Sequence, residues 1–339
     1  MSWTWLEPVA PELAARWVHC HSRALRGPAW LPHSAGLGRA RAASQATRAL
    51  LRDPRSLLVS HGPWLTTHAS IAMAMRGTRR RHLAYAFSFG ELPQGVRRRV
   101  VARALRSVDR FVSFSSIEKA MYARYFDLDP SRFGMHLWAA RPPEVESAAT
   151  PLVPGRYLCA LGSQGRDYAP LVAAMRQRPG LRLVIVASPA SRGLQDLPNN
   201  VDLRFGIPRG QAMNILLHSR YTAIALRGAD IPCGHGSIVA AMHLGKAIAC
   251  TDSSGVSDYI DDGRTGLLVP PDDAAGWLNA IDRLEDDDIE RTSLGVRARE
   301  FAAQHCSEAV AVAYLRSYLS TAIRPAHAGP LPAATGTSP

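Results

Sequence analysis

The second half of the chain alternates short apolar runs with segments of helical periodicity, and this alternation limits the folds that it can adopt. The apolar runs are 157–161, 181–187, 201–205, 222–226 and 247–250. Strands that are joined by helices run parallel, because the helix carries the chain back to the edge of the sheet from which it started. The pattern predicts a doubly wound α/β domain whose ligands bind beyond the carboxyl ends of the strands.

The first half shows the same alternation less regularly, with apolar runs at 56–60, 82–89 and 110–114. A chain of 339 residues exceeds the roughly 150 that one domain usually contains. A stretch with four prolines, 142–154, is the natural linker. We therefore predict a first domain at 1–141, a linker at 142–155, a second domain at 156–306, a carboxyl-terminal helix at 307–324 and a disordered tail at 325–339.

The charge is unevenly distributed. Residues 1–150 contain 22 Lys and Arg against 10 Asp and Glu, whereas the remainder contains 18 of each, so the whole net charge of +12 lies in the first part. Such a field attracts phosphates of substrates, lipid headgroups or nucleic acid. No nucleic-acid-binding motif accompanies the arginines and no aromatic residues are interleaved with them, so we expect no nucleic-acid partner.

Other features of the composition exclude whole classes of protein. No run approaches the roughly 20 apolar residues of a membrane-spanning helix, and the opening residues lack a signal peptide's basic and apolar regions. The five cysteines show no CxxC spacing, which argues against disulfides and against a zinc site. We expect a cytoplasmic protein with no metal site.

Two loops carry the residues for binding phosphate. The first, 161–167, follows a strand and contains Gly162, Ser163 and Arg166. The second, 232–237, opens a helix and contains His235 and the backbone amides of Gly236 and Ser237. Helix amino termini bind anions through free N–H groups, and two such loops in one sheet suit a diphosphate. An ordinary glycine turn with a solvated arginine is the alternative for the first loop.

The run 240–273 resembles the carboxyl-terminal signature of retaining family 4 glycosyltransferases. It contains Gly245-Lys246, a strand ending in Thr251-Asp252, and the segment Asp262-Gly-Arg-Thr-Gly-Leu-Leu-Val-Pro-Pro271 in the family's order. The likeness extends to 162–174, with Arg166 on the position of the family's lysine, and more weakly to 56–138. It implies a GT-B fold, in which two Rossmann-like doubly wound domains face each other across a cleft, with the first domain shortened. It also implies a nucleotide-sugar donor on the second domain, no metal and no further cofactor.

The resemblance also assigns roles to individual residues. Two glutamates of the family fall on Pro232 and Ala240 here, and Asp230 is the nearest acid that can substitute. Arg166 and the amides of Gly162, Gly236 and Ser237 would neutralise the leaving diphosphate. In such a reaction the leaving group needs positive charge more than the nucleophile needs a base. The base would lie on Phe205, Gly206 and Ile207, although a buried strand end is the alternative for Phe205.

Two further features concern the acceptor side. His61 follows a buried strand and precedes Gly62-Pro63, a position that faces the cleft, so it is a candidate for contact with the acceptor or sugar, with a structural role as the alternative. His82 begins a strand and is interpreted as structural. The basic segment 94–110 forms either a helix that lies on an anionic membrane or a core-packed helix with a charged outer face.

The sequence therefore predicts a metal-independent, retaining hexosyltransferase. It would transfer sugar from a nucleotide sugar to a glycan or lipid-linked acceptor in cell-surface or exopolysaccharide synthesis, in the cytoplasm or at the membrane's inner face. A nicotinamide-dependent oxidoreductase, with Gly234-x-Gly236 and Asp252 as its fingerprint, and an inactive transferase-like scaffold are the alternatives.

Overall fold

The computed structural model describes residues 16–22, 35–145, 150–189, 191, 193–228 and 232–323. The predicted tail and Asp230 lie outside the described residues. The strands are β1 Leu58–His61, β2 His82–Tyr85, β3 Arg110–Ser113, β4 Phe133–Met135, β5 Leu158–Leu161, β6 Leu183–Ala187, β7 Val201–Phe205, β8 Thr222–Ile224, β9 Ile248–Thr251 and β10 Leu267–Val269. The helices are α1 Ala35–Arg52, α2 Pro63–Met75, α3 Gly95–Leu105, α4 Ser116–Phe126, α5 Ala169–Arg176, α6 Arg209–His218, α7 His235–His243, α8 Ala274–Asp286, α9 Asp288–His305 and α10 Glu308–Ile323, with a 3₁₀ turn at Pro130–Arg132.

The first sheet contains four parallel strands in the order β1-β2-β3-β4. The predicted strand 82–89 is too long, because Ala86 has a φ of 53° and this left-handed conformation ends the extended backbone after Tyr85. Phe87 and Phe89 remain buried beyond the end of β2, where Phe87 packs against Phe111 of β3 and Phe89 packs against Phe126 of α4. Strand β4 was not expected from the sequence, because its residues carry no strong apolar pattern.

The second sheet contains six parallel strands in the order β10-β9-β8-β5-β6-β7. The chain first builds outward from β5 to β7 and then returns to place β8 on the other side of β5. This order is that of a dinucleotide-binding Rossmann sheet, and its topological switch point lies between β5 and β8. The predicted doubly wound sheet is confirmed, and its crevice opens where these two strands end.

A capping box shapes the carboxyl edge of the first sheet. The Ser115 hydroxyl caps α4 by accepting a hydrogen bond from the Glu118 N–H at 3.2 Å, and the Glu118 carboxylate accepts one from the Phe114 N–H at 3.1 Å. Glu118 is fully buried, and burial raises the pKa of its carboxyl group. The turn after β3 is thereby held in one conformation.

Helix α10 returns the chain to the first sheet. Leu315 is buried in the apolar cluster of Tyr85 and Phe114, and the ring of Tyr314 lies 5.1 Å from that of His136. The two halves of the chain are thus connected by the segment after β4 and, a second time, by the packing of α10.

A buried tyrosine joins the two sheets directly. The Tyr259 hydroxyl, in the second half, donates a hydrogen bond to the Phe114 carbonyl at 2.7 Å and accepts one from the Trp138 N–H at 2.8 Å. Beside it, the Asp258 carboxylate accepts hydrogen bonds from the Ser116 N–H and hydroxyl. Because Phe114 follows β3, the carboxyl edge of the first sheet faces the second half.

Replacing Tyr259 by Phe should destabilise the protein by about 1–3 kcal/mol, because one acceptor and one donor lose their partner in a buried place. Urea denaturation measures the loss. Tyr157→Phe is the matched control, since its buried hydroxyl donates to the Ile215 carbonyl within the second half. A loss of stability for Tyr259→Phe no larger than that for Tyr157→Phe would contradict the role of the Tyr259 hydroxyl in joining the two sheets.

Candidate functional site

The two loops that the sequence singled out meet at the switch point of the second sheet. The loop after β5 runs beside the extension of β8, where Arg166 forms an isolated antiparallel bridge with Leu226. The Arg227 N–H also donates to the Gly165 carbonyl at 2.9 Å. Cys233, just before α7, packs so tightly on Gly165 that its Sγ lies 2.5 Å from where a Cβ would stand. The two loops are far apart in the sequence, and they meet because β8 returns to lie beside β5.

Arg166 is the central side chain of this site. It is only 5% exposed, and its guanidinium donates hydrogen bonds to the Leu161 carbonyl at 3.2 Å, the Gln164 carbonyl at 3.0 Å and the Ser237 hydroxyl at 2.9 Å. The alternative of a solvated arginine on an ordinary turn is therefore wrong. The side chain ties the first loop to the first turn of α7.

The positive charge of Arg166 is not neutralised by the residues that the structure describes. All three of its hydrogen bonds go to neutral oxygens, and no carboxylate in the described ranges forms an ion pair with it. A guanidinium has five N–H groups and accepts no hydrogen bonds, so its charge can be compensated only by an acceptor that carries negative charge. Helix α7 starts beside it, after Gly234 in the left-handed conformation (φ 88°) and without a side-chain cap. A buried cation and an uncapped helix amino terminus together favour an anion.

The roles expected of two amides need correction. The Gly162 N–H donates to the Val186 carbonyl at 3.0 Å, and the Ser237 N–H donates to the Gly234 carbonyl at 2.9 Å, so neither is free for a phosphate. Within the described part of the chain the Gly236 N–H has no such partner. Gly162 serves the site differently, because a Cβ there would collide with the Arg166 guanidinium. Ser163 lies exposed on the same loop.

His235 is the first residue of α7, and its ring stacks on Tyr259 with centroids 4.7 Å apart. Burial, and secondly the charge of Arg166, lower its pKa to about 4, so the imidazole is neutral at pH 7. Its Nε2 is buried without a hydrogen-bond partner among the described residues. The ring therefore adds no charge to the anion site, but it retains a polar nitrogen there.

The residues expected to hold the base lie at the end of β7. Phe205 is 43% exposed, so the alternative of a buried strand end is wrong for this residue. Gly206 follows with a φ of 64°, and Ile207 packs against the apolar cluster of the second sheet. An exposed ring beyond the carboxyl end of a strand is available for stacking, and its contact with a base remains a prediction.

The two histidines of the first sheet have different environments. His61 ends β1, half-buried, with its ring 6.3 Å from that of Tyr85, and burial lowers its pKa. His82 is fully buried, its Nε2 hydrogen-bonds the Ser60 hydroxyl at 2.7 Å, and burial lowers its pKa to about 3. A structural role for His82 agrees with these contacts, whereas His61 lies at the edge that faces the second half.

Sequence reasoning missed residues that approach the site from the first half. Trp138 lies after β4 and its Nε1 comes within 4.0 Å of where a Cβ on Gly236 would stand. The Gln164 side chain of the first loop reaches the other way, against Gly90. Neither residue belongs to a periodic pattern that could have identified it from the sequence.

The comparisons with known proteins agree with this architecture. Residues 167–287 match the family model of glycosyl transferases group 1. A D-inositol 3-phosphate glycosyltransferase of Nocardia farcinica is 26% identical over 259 residues, which cover 69% of this chain and 57% of that protein. A protein of the same name from Gordonia bronchialis is 28% identical over 170 residues, or 46% of this chain and 37% of its own length. The chain thus spans less than two thirds of these relatives.

Solved structures show the same fold at low identity. Sucrose-phosphate synthase of Thermosynechococcus elongatus superposes with a TM-score of 0.70 at 18% identity, over 88% of this chain and 82% of its own. HepE of Anabaena, in complex with UDP, superposes with a TM-score of 0.67 at 16% identity, over 84% of each chain. The predicted GT-B fold is confirmed, and residues 167–287 are similar to glycosyl transferases group 1. The retaining subfamily and a shortened first domain stay predictions.

We expect Arg166→Ala to weaken nucleoside-diphosphate binding about tenfold or more, because a charge-assisted contact contributes about 1.5–3 kcal/mol. Isothermal titration calorimetry with UDP and GDP measures the affinity. Arg264→Ala is the control, since this arginine is exposed in the loop that precedes β10, at the opposite edge of the sheet. Equal affinities for wild type and Arg166→Ala would remove Arg166 from the binding site.

Proposed function

We propose that the chain transfers a sugar, with retention of anomeric configuration, from a nucleoside-diphosphate sugar to a glycan or lipid-linked acceptor. The donor diphosphate lies at the switch point of the second sheet, and the acceptor lies at the carboxyl edge of the first. The leaving diphosphate is stabilised by positive charge, without a metal ion. In the cell this reaction would serve cell-surface or exopolysaccharide synthesis.

The observation that carries this proposal is the buried Arg166 guanidinium beside the amino terminus of α7. A buried charge is costly unless an opposite charge compensates it, and the described residues supply only neutral oxygens. A diphosphate would compensate the charge of this guanidinium and would also accept a hydrogen bond from the Gly236 amide, which has no backbone partner among the described residues. The same contacts would strengthen as negative charge develops on the leaving group, which is how such a site accelerates transfer.

Two comparisons support the choice of donor. HepE was solved with UDP and, in a second structure with a TM-score of 0.67 and 14% identity, with UDP-glucose. The curated relatives are named as glycosyltransferases. These names favour a nucleoside-diphosphate sugar and leave the choice of base and sugar open.

The acceptor side is supported by the first sheet. His61 and Tyr85 end β1 and β2, and Phe114 and His136 follow β3 and β4, so polar and aromatic groups collect at one edge. The contact of Phe114 with Tyr259 shows that this edge faces the second half. A sugar held at the α7 amino terminus would therefore lie between the diphosphate and this edge.

The oxidoreductase alternative fits the topology less well. In a dinucleotide-binding domain the glycine fingerprint follows the first strand of the sheet. Here Gly234-x-Gly236 follows β8, the fourth strand of its sheet, and the turn after the first strand, β5, contains a buried arginine. Asp252 follows β9 rather than the second strand.

Sugar transfer should survive EDTA, because charge at the leaving group comes from Arg166 and backbone amides in this proposal. We expect Asp230→Asn to lower kcat if Asp230 replaces a missing family glutamate, and Asp252→Asn, which removes another acid at the same edge, to leave it unchanged. Donor turnover and NMR of the product anomer are the measurements. Loss of turnover on chelation, restored by Mn²⁺, or inversion at the anomeric carbon would overturn the mechanism.

We also propose that helix α3 rests on an anionic membrane surface. Val101 and Leu105 are buried, whereas Val96 and Val100 are 74% and 49% exposed, so one side of the helix packs on the core and two apolar side chains face outward. Arginines surround the exposed pair: Arg97 lies over the Trp64 ring at 4.0 Å and Arg98 over the Tyr125 ring at 4.5 Å. Exposed apolar groups among arginines suit the interface of an anionic bilayer.

None of the helices in the described ranges is long and apolar enough to cross a membrane, so the proposed association is peripheral. Vesicles with anionic lipid should bind the protein and release it as salt is raised. Binding should weaken when Arg97, Arg98 and Arg99 are changed to Gln, since each cation near the surface contributes about 1 kcal/mol. Flotation measures binding, and Arg156, Arg264 and Arg283 changed to Gln are the control for net charge. Equal binding to neutral vesicles, or none to anionic ones, would refute the proposal.

A further inference from the structure

Trp138 occupies the junction between the two halves of the protein. It lies three residues after β4, half-buried, and its ring packs edge-on against Phe114 of the first half at 4.8 Å. Its backbone N–H donates to the Tyr259 hydroxyl of the second half at 2.8 Å. The ring contacts the apolar clusters of both sheets. Contacts from both halves therefore hold the side chain in place.

The polar edge of this indole points toward the proposed donor site. Its Nε1 is 4.0 Å from the position that a Cβ on Gly236 would take, and Gly236 is the second residue of α7. The indole N–H can only donate. Among the described residues it has no hydrogen-bond partner, since the only bond of Trp138 comes from its backbone. This donor, held in place beside the Gly236 amide, is available to an acceptor that binds in the cleft.

The positions of Arg166 and Trp138 around α7 indicate which part of a bound ligand would accept the hydrogen bond from the indole. Arg166 contacts the first turn of the helix from the β5 side, through the Ser237 hydroxyl at 2.9 Å. Trp138 approaches the same turn through Gly236, from the segment that follows the first sheet. A diphosphate bound by Arg166 would thus direct its sugar toward Trp138 and the acceptor edge.

We propose that Trp138 is a sugar-binding residue, whose indole N–H donates a hydrogen bond to a hydroxyl of the transferred sugar. The inference rests on the proposed function and extends it, since neither the loops nor the family resemblance points to this residue. The absence of a side chain on Gly236 leaves the space that the hydroxyl would occupy between the indole and the helix.

Trp138→Phe is the discriminating variant, because it keeps an aromatic ring against Phe114 and removes the N–H together with part of the indole ring. Wild type is first screened by calorimetry against UDP, GDP, ADP and TDP and against their glucose, mannose and N-acetylglucosamine conjugates. The variant should bind the free diphosphate as wild type does and bind the preferred sugar conjugate about threefold to tenfold more weakly, the effect of one neutral hydrogen bond. Trp64→Phe, the same change beside Arg97, should alter neither affinity.

Each outcome separates the two proposals. If wild type binds none of these nucleotides, the proposed function fails. If wild type binds and Trp138→Phe is unchanged toward the conjugate, or loses affinity equally for conjugate and free diphosphate, the sugar contact is refuted while the donor site stands. Gly236→Ala keeps the backbone amide and places a methyl group in the same space. It should also weaken the conjugate more than the free diphosphate, and an equal or absent effect would contradict the assignment.

Discussion

The structure of the site depends on the burial of the Arg166 guanidinium, which has no carboxylate partner among the described residues. This charge is tolerated because the Leu161 and Gln164 carbonyls and the Ser237 hydroxyl surround it, and because Gly162 leaves room for it. Those contacts hold the loop after β5 against the start of α7, so one side chain both shapes the loop and charges the crevice. The guanidinium has already lost its solvation energy on folding, so an anion that binds in the crevice would compensate its charge.

The same field affects the groups around it. His235 is neutral at pH 7 because burial and Arg166 both disfavour its protonated form. Its ring stacks on Tyr259, and the Tyr259 hydroxyl bonds Phe114 and Trp138 of the first half. The donor loop, the joint between the sheets and the approach of Trp138 therefore form one contiguous set of contacts. A change in how the two halves face each other would move groups at both the donor and the acceptor side.

Local patterns predicted the regular elements better than the environment of individual side chains. Five of the six strands of the second sheet and both loops follow from apolar periodicity and glycines, whereas β10 was not predicted as a strand. Burial of Arg166 did not, since an arginine in a glycine loop usually points to solvent. Strand β2 was predicted too long because aromatic residues suit strands, and the positive φ of Ala86 ends it. The exposure of Val96 depends on how α3 sits on its neighbours, which the apolar spacing alone does not reveal.

The sequence by itself determined the parallel α/β class, the position of the two loops and the concentration of positive charge in the first half, because periodicity, glycines and composition are local properties. Only the tertiary structure decided which donors remain free. The Gly162 amide is used by β6, whereas the Gly236 amide lies in the first turn of α7 and has no backbone partner among the described residues. Trp138 reaches Gly236 because strand order and the way the two sheets face each other bring together residues that are distant in the chain.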